Sequence, residues 1–309
     1  TSRFICSRRP DRKYLSFLGG PVNVKKATLA IASLALVGGA VAVPAAAGTS
    51  PTGGSVEEPT VLAKSDQVTV IQDGDWVRHE YVQPLPNAKT QEIAGTHLTG
   101  PDGTQGCGYR GSETAEANSL SRDEVLYSRE IASNLEDCTL VLETAVLSVD
   151  EAKEFGVADD DASDESKVAS SDGLTTNATT TGKYQKLYYE DPPQIDVTSV
   201  TARLRWTWTG SCTTWSQHQA AWGWYSSSGW SRTNSWYGYD YANCAYGATT
   251  SNTGQYRNGS FCASVDTWNE YYTNYLQGHS DGSSYYEWSA NKWGGCANLL
   301  SFHRAVGTW

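Results

Sequence analysis

Residues 200–212 read VTARLRWTWTGSC, in which Val200, Ala202, Leu204, Trp206 and Trp208 are apolar while Thr201, Arg203, Arg205, Thr207 and Thr209 are polar. A strict period of two predicts a half-buried β-strand. Gly210-Ser211 supplies turn chemistry and Cys212 a covalent anchor, so this strand is expected to set the register of the strands after it. Residues 217–225 repeat the pattern, with His218, Ala220, Trp222 and Trp224 on one face. The turn pair Asn258-Gly259 precedes a strand-like run at 261–265, and residues 271–277 and 283–289 flank a hairpin turn at 278–282. No long helical period follows Tyr184. The predicted C-terminal domain, residues 184–309, is therefore all-β, an antiparallel β-sandwich or jelly-roll-like fold.

The N-terminal half reads differently. Residues 68–71 and 76–82 form two short strands around the turn Gln72-Asp73-Gly74-Asp75. Ser121-Arg122-Asp123-Glu124 is a capping box with Leu120 placed to staple onto Val125, and the apolar stripe from Val125 to Leu135 predicts a helix. Residues 138–147 are β-branched enough for a strand, and a second box, Ser148-Val149-Asp150-Glu151, opens a short helix that closes at Gly156. Residues 48–156 are thus expected to form a small acidic α+β domain. Residues 157–183 turn to Asp, Ser, Ala and Thr, a composition that predicts a disordered linker. The prolines 192 and 193 are expected to keep the lead-in to the organising strand extended.

Ahead of these units, Lys25-Lys26, the uncharged apolar run 27–43 and Ala45-Ala46-Ala47 have the order of a signal peptide at 24–47. Residues 1–23 are expected to be untranslated read-through ahead of a start at Val24. The protein is accordingly expected to be secreted and extracellular, with no membrane span once the signal is removed. Downstream of the signal lie Cys107, Cys138, Cys212, Cys244, Cys262 and Cys296, without the close CxxC or HxxxH pairs of a zinc site. Sequential bridges 107 to 138, 212 to 244 and 262 to 296 keep each loop within its own domain. Charge is uneven: residues 48–183 carry 9 basic against 25 acidic side chains, and residues 184–309 carry 7 against 8. Nucleic acid and anionic surfaces are poor partners for such a chain.

Between Trp206 and Trp309 there are 11 Trp and 11 Tyr, so rings must supply most of the C-terminal core. In WSRTNSWYGYD, strand alternation places Trp230, Arg232, Asn234, Trp236 and Asp240 on one face, where polar groups interrupt the rings. Aromatic faces stack on sugars while amide, guanidinium and carboxylate groups bond hydroxyls, which makes this the candidate ligand surface. No GxSxG, HExxH, Walker loop or GxGxxG occurs, and no catalytic residue, cofactor or metal is assigned. His303, and the carboxylates Glu190, Asp191, Asp196, Asp240, Asp266, Glu270, Asp281 and Glu287, are the scattered groups from which a hydrolase pair would have to come.

Tyr188-Tyr189-Glu190-Asp191-Pro192 through Ile195-Asp196-Val197, the Trp-rich strand ending Gly210-Ser211-Cys212, Asn258-Gly259-Ser260-Phe261-Cys262, and Gly294-Gly295-Cys296 to Leu300-Ser301-Phe302-His303 carry a resemblance. Over about the last 125 residues the chain resembles a group of exported, uncharacterised actinobacterial proteins with a Trp-rich, four-cysteine domain. The resemblance implies secretion and four domain cysteines, and brings no activity or catalytic residues with it. The expectation is a non-enzymatic binding or surface-interaction protein with a glycan or cell-wall component as partner. The alternative is a secreted hydrolase acting on polysaccharide or cell wall, whose mark would be a cleft lined by two carboxyls and aromatic rings.

Overall fold

The computed structural model describes residues 58–116, 120–157, 165–170, 178–263 and 265–309, with backbone alone for 165–170. The expected read-through and signal segments lie outside the described residues. In chain order the strands are β1 (Thr60–Lys64), β2 (Val68–Asp73), β3 (Trp76–Tyr81), β4 (Lys89–Ala94), β5 (Thr96–Thr99), β6 (Gln105–Ala115), β7 (Glu124–Asn134) and β8 (Thr139–Ser148). One short helix, α1 (Val149–Glu154), comes next. Then come β9 (Glu165–Ser170), β10 (Thr179–Glu190), β11 (Asp196–Trp208), β12 (Thr213–Trp224), β13 (Trp230–Asn243), β14 (Gly247–Cys262), β15 (Val265–Gly278), β16 (Ser284–Gly294) and β17 (Ser301–Thr308).

These strands form two antiparallel sheets. The larger runs β1-β2-β3-β7-β17-β10-β11-β12-β9, with β8 also paired to β7 and β4 to β8. The smaller runs β13-β14-β15-β16-β6-β5. Inward residues of both share one core, Leu187, Tyr189, Val200 and Trp222 from the larger sheet meeting Tyr256, Tyr271, Trp288 and Ala290 from the smaller. Rings do supply this interior: Trp206, Trp222 and Trp230 are among the largest fully buried side chains. Each removes roughly 150–250 Å² from water, on the order of 4–6 kcal/mol at about 25 cal/mol per Å².

The organising strand is β11, and its expected apolar face is buried from Val200 to Trp206. It differs in one respect. Thr201, Arg203 and Thr207 on the opposite face are buried too, because β11 is a central strand covered on both sides rather than on one. Residues 191–195 are a tight turn between β10 and β11 rather than an extended lead-in: Gln194 N donates to Asp191 O, and Ile195 N to Asp191 Oδ1.

Two larger expectations are corrected. No separate N-terminal α+β unit forms: residues Ser55–Trp309 make one compact unit, because β6 pairs with β16 and β7 with β17. Within the expected linker, Glu165–Ser170 pairs with β12 and β10 already begins at Thr179; residues 158–164 and 171–177 lie outside the described residues. The helix expected from Val125 to Leu135 is strand β7. The box residues form a turn in which Ser121 N donates to Glu124 Oε2, but the chain then pairs with β8 on one side and with β17 and β3 on the other. Backbone pairing along both edges outweighs a local helical preference of a few tenths of a kcal/mol per residue. The second box is as expected: Ser148 caps α1, its Oγ accepting from Glu151 N while Glu151 Oε2 accepts from Ser148 N.

All three disulfides join the expected partners, Cys107 to Cys138, Cys212 to Cys244 and Cys262 to Cys296. The first ties β6 to the start of β8 and so links the smaller sheet to the larger. No helix among the described residues is long and apolar enough to cross a membrane.

Candidate functional site

The five residues expected on one face of β13 are divided by a bulge. Arg232 pairs with Tyr256 and Asn234 with Gln255, so Thr233 is the extra residue and the alternation slips by one. Trp230 and Arg232 consequently point inward with Asn258 and Tyr256. Trp230 is buried against Phe261, and the Arg232 guanidinium lies over the rings of Trp222 and Trp224 at 5.4 and 4.8 Å. Asn234, Trp236 and Asp240 are exposed on the opposite, outer face. Asp240 Oδ2 accepts from Thr249 Oγ1 across the strand pair.

The outer three stand in a surface that the local pattern did not disclose. Asn234 is the cross-strand partner of Gln255, Gln255 of Glu270 and Glu270 of Asn291, giving one polar row across β13, β14, β15 and β16. Glu270 is its centre. Its carboxylate accepts from Gln255 Nε2 at 3.4 Å and from Asn291 Nδ2 at 2.9 Å. These bonds hold two amide groups in fixed orientation beside a shallow cavity of about 290 Å³ that also touches Leu98 and Trp293.

Trp236 lies two residue pairs along from that row, opposite Thr253, and is 57 % exposed. Its ring rests over Gly238, where an added Cβ would overlap the six-membered ring. A glycine at 238 therefore lets the indole lie down along its own strand, presenting a face to solvent. Tyr272, two residues on from Glu270, is 61 % exposed. The arrangement offers what sugar recognition requires, a flat ring for the apolar face of a pyranose and fixed amide and carboxylate groups for its hydroxyls. Gln255, Glu270 and Asn291 are not assigned from sequence because the row exists only through register.

Two other places have the chemistry of sites. A cleft of about 710 Å³ opens between β4, β7 and β8 of the larger sheet and β6 and β16 of the smaller, with Trp288, Arg110 and the Arg304–Glu113 ion pair in its wall. Arg304 is held further by Gln185, so this wall is already satisfied internally. His97 Nδ1 lies 3.4 Å from Cys138 Sγ, with Cys107 adjacent. Both sulfurs are spent in the disulfide, and that group has no thiolate to offer a metal.

No family model matches the chain, and comparison with curated proteins and with solved structures found no match.

Proposed function

We propose that this is an exported binding protein that holds a glycan or glycan-containing cell-wall polymer on the outer face of its smaller sheet, the two sheets together acting as an open β-sandwich scaffold. The observation that carries the reading is Trp236, an indole laid over Gly238 and left 57 % exposed beside the fixed amides of the Asn234–Gln255–Glu270–Asn291 row. Export rests on the signal-like segment and on six paired cysteines, which persist in oxidising compartments. The resemblance to exported actinobacterial proteins belongs to the same reading.

Retention of the purified protein on insoluble glycans and cell-wall fractions tests the proposal. Wild type is expected to be retained on at least one, and Trp236→Ala to elute unretained with a thermal midpoint close to wild type. Gly238→Ala should weaken retention as well, because the new Cβ displaces the ring while leaving every polar group in place. A large loss of stability in Trp236→Ala would assign the ring to the core. No retention of wild type on any fraction would remove the proposal.

A further inference from the structure

The carboxylates on the outer face of the smaller sheet say which kind of glycan suits it. Glu270 is partly exposed, and its partners are neutral amides, Gln255 Nε2 donating to Oε1 and Asn291 Nδ2 to Oε2. A carboxylate offers about four acceptor sites, and these bonds fill two. Asn291 reaches its place because Gly108, opposite it on β6, has no side chain: a Cβ there would fall 2.6 Å from Asn291 Oδ1. One donor of each amide is thus turned onto Glu270, and acceptor capacity is left over. Glu270 is also the one charged side chain, among the described residues, in the wall of the 290 Å³ cavity, where the indole of Trp293 stands beside it.

Two more carboxylates lie further along the same face. The ring of Trp236 rests over Gly238, whose row runs through Ser251 and Tyr275 to Glu287. Asp240 is two residues beyond Gly238 on β13 and is exposed. Among the described residues none of Glu270, Glu287 and Asp240 takes part in an ion pair. The cations of this face do not reach them. Arg257, two residues from Gln255 on β14, is held by Asp266 through Nε at 2.7 Å and Nη2 at 2.9 Å. Arg110 is on β6, four strands from Trp236.

The exposed indole therefore has an uncompensated carboxylate on either side of it along the sheet. The Asn234 and Gly238 rows are roughly 13 Å apart on β13, at about 3.3 Å per residue. That length suits a chain of sugars rather than one ring. Hydroxyls and acetamides bring no charge to such a surface. An ammonium group brings three donors and the opposite charge, and it is attracted to an indole face as well.

We propose that the glycan held here is cationic, a polymer of amino sugars with free amines, which sets one ammonium on Glu270 and others on Glu287 and Asp240 while Trp236 stacks on a ring between them. This rests on the reading of the outer face as a glycan surface and adds the charge of its ligand.

Three sets of short soluble oligosaccharides test the charge, all β-1,4-linked pyranoses that differ at C2: glucosamine, N-acetylglucosamine and glucose. At about pH 5.5 the first carries ammonium groups. Calorimetry on wild type, in about 0.15 M salt to screen the net charge of the chain, is expected to show the glucosamine oligomer bound at least about tenfold more tightly than the other two. Glu270→Gln should weaken that binding at least about tenfold, the loss of one charge-assisted hydrogen bond, with a thermal midpoint close to wild type. Glu80→Gln removes the same charge from an exposed position on β3 of the larger sheet and should bind as wild type does. Tighter binding of the acetylated or the glucose oligomer, or equal affinities for Glu270→Gln and Glu80→Gln, would overturn the cationic assignment and leave the glycan surface standing. Retention on another glycan with no binding of the glucosamine oligomer would do the same. Absence of binding to every glycan would overturn both readings.

Discussion

The outer face of the smaller sheet and the junction of β3, β7 and β17 are built from the same kinds of polar residue at opposite energetic cost. On the outer face, Asn234, Gln255, Glu270 and Asn291 stay at least partly exposed, and water completes their hydrogen bonds. At the junction, β17 leaves the edge of β7 after Arg129 and β3 joins it from Ala132, and Glu130 falls in the interval with no exposed surface. Its carboxylate is met by Lys292 Nζ at 2.7 Å and Phe302 N at 3.0 Å, and Lys292 in turn by Leu300 O at 2.8 Å. His79 is buried alongside, 3.8 Å from the same carboxylate. A face of the first kind is changed with little effect on folding. A cluster of the second kind is held only as long as every member keeps its partner.

The largest expected effect sharpens that contrast. Lys292→Met strands the Glu130 charge in the interior and should cost about 3–5 kcal/mol in denaturant unfolding. Adding Glu130→Gln removes the stranded charge, keeps an acceptor for Phe302 N, and should restore most of the loss. Equal and additive losses in the two single variants would show that the pair is not coupled. Comparable substitutions along the outer row, such as Glu270→Gln, are expected to stay within about 0.5 kcal/mol.

A smaller effect comes from acid. Burial lowers His79 from 6.5 to about 4, with Glu130 opposing the shift and not cancelling it. The unfolded chain therefore binds the proton first, and stability should fall as pH drops from about 6.5 to about 4, by on the order of 3 kcal/mol from this residue. His218, also lowered to about 4 by burial, acts in the same window and direction. Glu190, raised by burial, acts with opposite sign: it loses stability as pH rises above the ordinary glutamate value of 4.5. Comparing unfolding of wild type and His79→Gln across pH 4–7 isolates the histidine. The variant should show the shallower slope, and an unchanged slope would contradict burial of a neutral His79.

The contrast also explains which parts of the molecule can be read from its sequence. The alternation from Val200 to Trp206, the cap at Ser148 and the three bridges are local or nearly so, and each is found in the structure. Residues 125–135 fit a helical and a strand period equally well, and only the edges of β8, β17 and β3 decide between them. The bulge at Thr233 leaves no local mark, so alternation placed Trp230 and Arg232 on the wrong face. The candidate site is likewise a product of register, since Gln255, Glu270 and Asn291 meet across three strands.

The most direct test of the binding surface is a titration of isotope-labelled protein with a short oligosaccharide cut from the glycan that retains it, monitored by NMR. The indole N–H of Trp236 and the side-chain amides of Asn234, Gln255 and Asn291 should shift together and saturate with one dissociation constant. Stationary signals at these four positions, with movement instead at the indole of Trp288 in the cleft between the sheets, would contradict the assignment of the outer face as the ligand site.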